Sequence, residues 1–430
     1  MKILVAGSGG REHALCWRLS RDSGAGEIVA APGNPGIAAH ASLAGIDPAD
    51  PDALLALAVR DAIDLTIIGP ELPLDRGVVD RFRAAGRRIF GPPRAAARLE
   101  CSKVFAKGFM ARHGIPTARY RVSTTPDDAR AVVASGEFGF PVVLKADGLA
   151  AGKGVVVARD RDEADAAIRA AMDERRFGAA GARLVVEECL SGPEVSFFAL
   201  CDGTRAVPIA SAQDHKRIFD DDQGPNTGGM GAFSPCPLVD AAMEARIMRE
   251  IVDPVLRGMR GEGTEFRGFL YAGLMMTCAG PKVIEYNVRF GDPEAQAVMP
   301  LVDGELLPSI AAAADGDVGD ARIGLKPGVS VAVVLASAGY PGATQSGAVI
   351  SGLEAATRVP DVNVFHAGTQ RRDGRIVTAG GRVLTVVATG ANYRAAIDRA
   401  YEAVSLISFE GMQYRRDIGR KAFQSQQPHA

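Results

Sequence analysis

The first hundred residues alternate short apolar runs with amphipathic stretches, and this alternation constrains the fold more than any other feature. Strands that alternate with helices predict a parallel sheet with crossover helices. Each predicted strand also runs into a turn rich in glycine or proline, and in open α/β sheets such loops line a ligand crevice. The predicted strands cover residues 3–6, 28–31, 65–68 and 88–90, and the predicted helices cover residues 13–21, 52–60 and 75–85.

The pattern changes after a predicted helix over residues 102–113, where Gly114-Ile115-Pro116 marks a boundary. Beyond it the sequence is rich in strands and hairpin signals. Residues 220–234 hold so many glycines and polar side chains that they are predicted to form a mobile loop. Past Lys326-Pro327-Gly328, further strands and a helix over residues 393–406 predict a separate C-terminal domain.

Composition excludes several classes of protein. At 430 residues the chain has room for about three domains, and a formal charge of -2 gives no net attraction for nucleic acid or an anionic membrane. No apolar run reaches the roughly 18 residues of a membrane helix, and the N-terminus lacks a signal-peptide core, so a cytoplasmic protein is expected. Six cysteines without a CxxC pair predict reduced thiols.

The turn Gly7-Ser8-Gly9-Gly10 precedes a predicted helix, whose N-terminal amides can cradle an anion. Two details oppose a dinucleotide site. Glu12 stands at the third glycine position, and Pro32-Gly33 follows the second strand where an acid that binds ribose is expected. A tight turn without a ligand is the alternative.

The glycine-rich segment from Lys145 to Gly154 resembles a Walker A loop, but Gly154 stands where a Ser or Thr should be. Apolar β-branched residues follow, so the segment joins two strands. Such a flap can close its amides and Lys153 over a polyphosphate. The alternative is an ordinary hairpin in which Lys145 snorkels to the surface.

Two further segments carry paired polar groups at strand ends. The strand that ends in Glu187 and Glu188 could offer backbone groups to an adenine edge and place Glu194 beside ribose hydroxyls. Gln213-Asp214-His215-Lys216-Arg217 suits a small charged substrate. A solvated strand end is the alternative for both segments.

The strongest motif runs from Lys282 to Glu294. With a strand period of two, Glu285, Asn287 and Arg289 project from one face. A carboxylate and an amide oxygen suit Mg²⁺, while an arginine can hold a carboxylate or phosphate in fork geometry. The alternative is a surface ladder in which Glu285 pairs with Arg289. The sequence has no histidines at zinc-ligand spacing and no GxSxG elbow.

Together these motifs resemble the phosphoribosylamine–glycine ligase family of the ATP-grasp superfamily, over nearly the whole chain. The matching stretches are GGREHAL from Gly9, APGNPG from Ala31, GPE from Gly69, SK from Ser102, KADGLAAGKGV from Lys145, QDHKR from Gln213, GPNTGGMGAFSP from Gly224, GFLYAGLM from Gly268, EYNVRFGDPE from Glu285 and RDIG from Arg416.

The resemblance implies a fold of the α/β class with an N-terminal parallel sheet, a central ATP-grasp domain and a C-terminal α+β domain. The expected bounds are 1–101 for the N-terminal domain, 102–325 for the ATP-grasp domain with a lid subdomain at about 120–192, 326–423 for the C-terminal domain and 424–430 for a tail.

The resemblance also assigns site residues. For ATP, it implies that Lys103, Lys145 and Lys153 contact the phosphates, that Glu187, Glu188 and Leu190 meet the adenine, and that Glu194 meets the ribose. It implies that Glu285 and Asn287 bind Mg²⁺ or Mn²⁺ and that Asp214, Lys216 and Arg289 surround glycine. It further implies that Gly9, Gly10, Asn34 and Glu71 face phosphoribosylamine. Residues 268–277 lack the second acidic metal ligand common in the superfamily, so water and nucleotide would complete the coordination.

The implied reaction joins glycine to 5-phosphoribosylamine through glycyl phosphate and gives glycinamide ribonucleotide, ADP and phosphate, a step of purine synthesis. Asp214 is a candidate general base. The implied partners are these small molecules, with no nucleic acid and no membrane, and a monomer is expected. The rival hypotheses are an ATP-grasp ligase or carboxylase acting on another acid and a nucleotide-binding sensor without turnover.

Overall fold

The computed structural model describes residues 1–149 and 154–424. Lys153 of the predicted flap and the predicted tail after residue 424 lie outside the described residues. Within the described part, all six cysteines are free thiols. No helix in these two ranges is both long and apolar enough to cross a membrane.

The N-terminal domain contains a parallel five-stranded sheet in the order β3-β2-β1-β4-β5, which confirms the parallel fold expected from the alternating sequence. The predicted helix over residues 75–85 is wrong at its start, because Gly77 adopts a left-handed φ of 79° and separates two short helices. The elements are β1 (Lys2–Gly7), α1 (Gly10–Leu19), β2 (Glu27–Pro32), β3 (Ser42–Leu43), α2 (Pro51–Arg60), β4 (Leu65–Ile68), α3 (Glu71–Asp75), α4 (Val78–Ala84), β5 (Ile89–Phe90) and α5 (Arg94–Cys101).

A second, antiparallel sheet of four strands follows in the order β6-β9-β7-β8, within the segment predicted to be a lid subdomain, and we call this segment the lid. Strands β7 and β8 pair from Lys145↔Val155 outward, so the glycine-rich segment joins adjacent antiparallel strands as predicted. The elements are α6 (Lys103–Arg112), β6 (Tyr120–Ser123), α7 (Pro126–Ala134), β7 (Val142–Ala146), β8 (Val155–Ala158), α8 (Arg161–Ile168), which continues as a π-helical turn to Asp173, and β9 (Leu184–Glu188).

The central sheet has eight antiparallel strands in the order β16-β15-β10-β11-β14-β19-β23-β20. The segment over residues 194–325 supplies the first five strands of this sheet and two small two-stranded sheets, β12-β13 and β17-β18. Its elements are β10 (Glu194–Asp202), β11 (Ala206–Asp214), β12 (Arg217–Phe219), β13 (Gln223–Asn226), β14 (Gly231–Ser234), α9 (Ala241–Ile247), α10 (Asp253–Gly261), β15 (Arg267–Thr277), β16 (Gly280–Asn287), α11 (Glu294–Val298), β17 (Val302–Asp303), α12 (Leu307–Asp315) and β18 (Gly324–Leu325).

The C-terminal domain continues the same sheet through β19, β23 and β20. The predicted helix over residues 393–406 is confirmed, and Asn392 caps it by accepting a hydrogen bond from the amide of Ala395. The elements are β19 (Val329–Ala336), α13 (Leu353–Thr357), β20 (Val362–His366), β21 (Thr369–Arg372), β22 (Arg375–Thr378), β23 (Arg382–Gly390), α14 (Tyr393–Leu406) and α15 (Lys421–Gln424).

The prediction of a mobile loop over residues 220–234 is wrong. The segment contains β13, which pairs with β12, and the buried strand β14, which lies between β11 and β19. A Cβ atom added at Gly231 would lie 2.6 Å from the carbonyl oxygen of Ala332. Glycine is therefore needed at this position for close packing of two strands.

Buried aromatic rings support the turn that follows β16. Phe198, whose side chain is fully buried, stacks on Phe290 with 4.4 Å between ring centroids and on Tyr271 with 5.2 Å. The stack therefore joins β10 to β15 and to the residue that follows Arg289.

We expect Phe198→Ala to lower the free energy of unfolding by about 3–5 kcal/mol, because it removes a fully buried ring and leaves a cavity. Urea denaturation would measure the change. The matched control is Phe219→Ala, because Phe219 is 56% exposed, and it should change the stability by no more than about 0.5 kcal/mol. Equal losses in the two variants would contradict the role given to the stack.

Candidate active site

Glu285 and Asn287 lie near the end of β16, opposite Gly273 and Tyr271 of β15. They are two residues apart on one strand and so share a face of the sheet, as predicted. A Cβ atom added at Gly273 would lie 3.1 Å from Cγ of Glu285. The strand opposite Glu285 thus carries no side chain at this position, and any side chain there would have to displace Glu285.

Positive charges from several segments converge on Glu285. Burial raises the pKa of its carboxyl, but Lys216, Lys145, Lys103 and Arg289 together hold that pKa below its ordinary value. These cations come from the segment after β11, the lid strand β7, helix α6 and the turn after β16. The fold therefore brings together residues that are far apart in the sequence and were predicted to share one site.

Lys216 and Asp214 face this carboxylate from the segment that ends β11. The Lys216 Nζ atom lies 2.7 Å from Oε2 of Glu194 and 3.6 Å from Oε1 of Glu285. Burial raises the pKa of Asp214 to about 7; Lys216 opposes the shift, and the charges of Glu294, Glu194 and Glu285 add to it. A carboxyl that titrates near neutral pH can accept a proton during turnover.

Lys145 is buried, so its alternative interpretation as a snorkelling surface residue is wrong. Its ammonium group forms an ion pair with Glu187 and donates to the carbonyl oxygen of Ile284 at 2.9 Å. Lys107 of α6 pairs with the same carboxylate and donates to Oγ1 of Thr117 at 2.8 Å. Burial lowers the pKa of Lys107 to about 8, although the charge of Glu187 opposes the shift.

The predicted adenine contacts lie at the end of β9. The Glu187 side chain lies between two lysines, and Glu188 accepts hydrogen bonds from the backbone amide and Nε of Arg119 at 3.0 and 2.8 Å. The backbone of Glu187 pairs with β6 on one side and β7 on the other. Backbone groups for an adenine edge are therefore expected beyond the strand, at Cys189 and Leu190.

Lys103, the first residue of α6, contacts the base of the predicted flap. Its ammonium group donates to the carbonyl oxygen of Gly148 at 3.0 Å. The neighbouring Asp147 carboxylate accepts from Oγ of Ser102 at 2.8 Å and from the amide of Val104 at 3.1 Å. These contacts hold the start of the flap against the N-terminus of α6.

Arg289 lies two residues beyond β16 and is held by two glutamates. Its Nη2 atom donates to Oε1 of Glu100 at 2.5 Å, and its Nε atom lies 3.3 Å from Oε2 of Glu71. Glu100 also accepts from the amide of Val288 at 2.8 Å. The alternative ladder, in which Arg289 pairs with Glu285, is not the arrangement observed.

Glu71 connects this arginine to the N-terminal domain. Burial raises the pKa of its carboxyl, but the charges of Arg289 and Arg11 hold that pKa below its ordinary value. Because Glu71 begins α3, at the carboxyl end of the parallel sheet, it joins the predicted phosphoribosylamine side to the predicted glycine side.

The Gly9–Gly10 turn packs tightly against its surroundings. The amide of Gly9 donates to Oε2 of Glu12 at 2.6 Å, and a Cβ atom added at Gly10 would lie 2.3 Å from Nε2 of Gln296. An anion that binds the Gly9 amide would have to displace the Glu12 carboxylate. Glu12, which stands at the third glycine position, therefore accepts a hydrogen bond from the turn's own amide.

Asn34 uses its whole amide group within the protein. Nδ2 donates to the carbonyl oxygens of Ser8 and His366, both at 2.8 Å, and Oδ1 accepts from the amides of Gly36 and Ile37. Its side chain therefore positions the loop after β2 against the turn after β1 and against the C-terminal domain.

Sequence reasoning missed Glu100 and Lys107. Both side chains belong to the buried faces of their helices, among alanine, leucine and phenylalanine residues. A charged residue on an otherwise apolar helical face is rarely buried without a partner, and this pattern was the available signal. In the part of the chain that the structure describes, no group of three or more His, Cys, Asp or Glu side chains could hold a metal ion.

Comparisons with known proteins identify relatives over nearly the whole chain. Three family models match: the Phosphoribosylglycinamide synthetase N domain over residues 1–100, the ATP-grasp (A) domain over 101–295 and the C domain over 330–421. Phosphoribosylamine–glycine ligase of Xylella fastidiosa (strain Temecula1) is 54% identical over 426 residues, 98% of each chain. That of Xanthomonas campestris pv. campestris is 52% identical over 427 residues, also 98% of each chain.

Solved structures give the same result. The crystal structure of phosphoribosylamine–glycine ligase from Thermotoga maritima matches with a TM-score of 0.85 and 34% identity, and the match covers 97% of this chain and 100% of that one. The biotin carboxylase domain of a Hydrogenobacter thermophilus 2-oxoglutarate carboxylase shares the fold alone, with a TM-score of 0.73 and 19% identity over 96% of this chain and 91% of that one. The chain therefore belongs to the phosphoribosylamine–glycine ligase family of ATP-dependent ATP-grasp ligases.

Proposed function

We propose that this chain activates the carboxylate of glycine with ATP and transfers the glycyl group to the amine of 5-phosphoribosylamine. The observation that carries the proposal is the convergence of Lys103, Lys145, Lys216 and Arg289 on Glu285. This arrangement suits the transfer of a phosphoryl group between anions, because it places fixed positive charge where negative charge develops.

The reaction requires two steps because glycine's carboxylate has no acceptable leaving group. In the first step, a carboxylate oxygen attacks the terminal phosphorus of ATP, the bond from that phosphorus to the bridging oxygen breaks, and ADP leaves. In the second step, the amine attacks the acyl carbon of glycyl phosphate, phosphate leaves with the bonding electrons, and the nitrogen loses a proton. The lysines and Arg289 offset the charge in both steps.

Nucleotide binding is assigned to the lid and to α6. Lys103 and Lys145, with Lys153, would bind the phosphates. The backbone beyond Glu188, at Cys189 and Leu190, would meet the adenine. In the described structure Lys145 pairs with Glu187, so a phosphate would compete with this carboxylate for the ammonium group while Lys107 keeps Glu187 paired.

Glu194 is assigned to the ribose. It lies at the start of β10, where its carboxylate pairs with Lys216 at 2.7 Å. A ribose hydroxyl that donates to Glu194 would weaken that ion pair and leave Lys216 available to the acid substrate. Nucleotide and glycine would in this way share neighbouring groups.

The phosphoribosylamine side is assigned to the turns at the carboxyl end of the parallel sheet. Glu71 would face the substrate next to Arg289, whose Nε atom lies 3.3 Å away. The turn at Gly9 and Gly10 would border the same substrate, and Asn34 would hold the loop beside it. The contact between Glu71 and Arg289 supports an arrangement in which the amine and the acyl phosphate would lie on adjoining sides of one guanidinium.

A divalent cation fits the donor set of Glu285 and Asn287. A carboxylate and an amide oxygen on one strand face are donors that Mg²⁺ or Mn²⁺ prefers. When bound, such an ion neutralises phosphate charge and polarises the phosphoryl oxygen atoms. Because Gly273 leaves no second acid opposite Glu285, the remaining ligands are expected to be water and nucleotide oxygen atoms.

Asp214 is assigned as the general base of the second step. Its pKa of about 7 makes the carboxylate a matched acceptor for the proton that the attacking amine releases. Lys216, two residues along the chain, would hold the carboxylate of glycine or its phosphorylated form. Asp214 and Lys216 thus divide proton transfer and charge stabilisation between them.

We assign the protein to the cytoplasm. The six described cysteines are free, which suits a reducing compartment. We also propose that it acts as a monomer.

The direct test is an ADP-release assay with glycine and freshly generated phosphoribosylamine, each omitted in turn. Glycinamide ribonucleotide should form only when ATP and both substrates are present. ADP release with bicarbonate in place of glycine would favour a carboxylase, and nucleotide binding without any ADP release would favour a sensor.

We expect Glu285→Gln to reduce ADP formation about 100-fold or more while the melting temperature stays close to that of the wild type, because a neutral amide loses the charge that attracts the cation. The Mg²⁺ concentration at half-maximal rate should also rise. Glu354→Gln is the matched control, since the Glu354 side chain is 93% exposed in the C-terminal domain. Unchanged turnover in Glu285→Gln would refute the metal assignment.

The rate of glycinamide ribonucleotide formation should fall as the pH drops through about 7, because protonation of Asp214 removes the base. We expect Asp214→Asn to lose this acid limb and to lower kcat about 100-fold or more. A pH profile of kcat at saturating glycine measures both effects.

Asp373→Asn is the matched control for this prediction, because the Asp373 side chain is 94% exposed. It should keep the wild-type pH profile. If Asp214 only holds the ammonium group of glycine, Asp214→Asn will raise KM for glycine and leave the acid limb of kcat in place, which contradicts the assignment as a base.

A further inference from the structure

Three consecutive aspartates, Asp220, Asp221 and Asp222, form a turn between β12 and β13. We call it the aspartate turn. Asp221 and Asp222 have φ values of 55° and 53°, in the left-handed region that residues other than glycine rarely adopt. Such a conformation persists only where surrounding groups hold it.

The groups that hold the aspartate turn belong to the end of the chain. We call Arg415, Asp417 and Lys421 the C-terminal clasp. Asp222 receives a hydrogen bond from Nη1 of Arg415 at 2.8 Å and lies 2.7 Å from Nζ of Lys421. The amide of Asp221 donates to Oδ2 of Asp417 at 2.9 Å.

Arg415 makes the central contacts of the clasp. Its side chain is fully buried, and Nε and Nη2 donate to the two carboxylate oxygens of Asp417 at 2.7 and 2.6 Å. Nη1 bonds both Asp222 and the carbonyl oxygen of Arg217, the latter at 3.1 Å. One planar guanidinium thus fixes the turn and the backbone of the residue that follows Lys216, in a geometry that lysine cannot reproduce.

The contacts continue from Arg217 into the site. The carbonyl oxygen of Lys216 accepts from the amide and Oγ1 of Thr227 at 2.7 and 2.8 Å. The Lys216 ammonium group then reaches Glu194 and Glu285. The backbone carbonyl groups of Lys216 and of the next residue are therefore both held by hydrogen bonds.

The clasp is anchored to the C-terminal domain. The Tyr401 hydroxyl on α14 donates to the carbonyl oxygen of Arg415 at 2.7 Å and accepts from the amide of Ile418 at 3.1 Å. Burial lowers the pKa of His215 to about 3; the charges of Lys421 and Arg415 add to this shift, and those of Asp417 and Asp222 oppose it.

We propose that Arg415 is a positioning residue for the glycine site, which holds Lys216 opposite Glu285 through Arg217 and Asp222. The proposal rests on the function proposed above and deepens it. Arg415 bonds Arg217, Asp222 and Asp417, none of which is among the nucleotide contacts assigned to the lid, so its loss should affect glycine more than ATP.

The test is Arg415→Lys, which keeps the charge and removes the fork. We expect KM for glycine to rise about ten- to 100-fold, while KM for ATP stays within about twofold, because a small displacement of Lys216 misaligns the acid substrate. Hydrogen exchange in residues 213–226 should become faster without a general loss of protection.

Lys421→Met provides a second variant should Arg415→Lys fail to fold, because Lys421 is partly exposed and pairs with Asp222 alone among the carboxylates of the turn. It should raise KM for glycine about two- to fivefold. Arg399→Lys is the matched control. Arg399 lies in the same domain, pairs with Asp361 at 3.2 Å and donates to the carbonyl oxygen of Thr389. Both KM values should be unchanged in this control.

Equal increases in the two KM values, or an unchanged KM for glycine, would overturn the proposal. The exchange measurement needs no substrate, so it separates two kinds of failure. If the wild-type chain releases no ADP with glycine, the proposed function fails. In that case unchanged exchange in residues 213–226 of Arg415→Lys overturns the clasp, and faster exchange supports it.

Discussion

The basic side chains of this cleft need partners before any anionic substrate arrives, and this requirement organises the site. A buried charge without a partner costs several kcal/mol, whereas two opposite charges 4 Å apart near a protein surface attract by about 4 kcal/mol. The chain therefore supplies resting carboxylates for three of the four cations around Glu285, namely Glu187 for Lys145, Glu194 and Glu285 for Lys216, and Glu100 and Glu71 for Arg289, whereas Lys103 donates to the carbonyl oxygen of Gly148. In the proposed reaction, an anionic substrate would replace a resting carboxylate as the partner of each of these three cations. None of the three would then lack an opposite charge, with or without substrate.

The same requirement explains why the site draws on the whole architecture. Each cation lies on a different element, and the carboxylates come from the lid strand β9, from β10, from β16 and from the N-terminal helices α3 and α5. Only the packing of the lid and the parallel sheet against the central sheet brings these charges together. Close backbone approach in the central sheet depends on small residues, as at Gly231, where a Cβ atom would lie 2.6 Å from the carbonyl oxygen of Ala332.

The sequence predicted the elements whose evidence is local. Alternating runs identified the parallel sheet, and the period of two placed Glu285 and Asn287 on one face. The prediction failed where the evidence is distant. Composition cannot show whether a glycine provides mobility or close packing, so the sequence predicts a loop where the structure has β14. Glu100 was missed because its partner Arg289 lies 189 residues away, and a charged residue on an apolar helical face gives no sign of which cation it meets.

The C-terminal domain contacts the segments that carry Lys216 and Arg289, and its sheet strands contribute to these contacts. Strand β19 pairs with β14, and β23 carries Arg382, whose Nη1 atom donates to the carbonyl oxygens of Gly228 and Asp292, both at 2.6 Å. One guanidinium thus joins Gly228, which precedes β14, to the turn that carries Arg289. Arg415 does the same for the segment that carries Lys216. Both arginines donate hydrogen bonds to main-chain carbonyl groups. Arg382 and Arg415 therefore constrain the backbone of these segments, and the constraint does not depend on the segments' side chains. The domain therefore constrains the two segments that carry Lys216 and Arg289, the cations that we assign to the acid substrate.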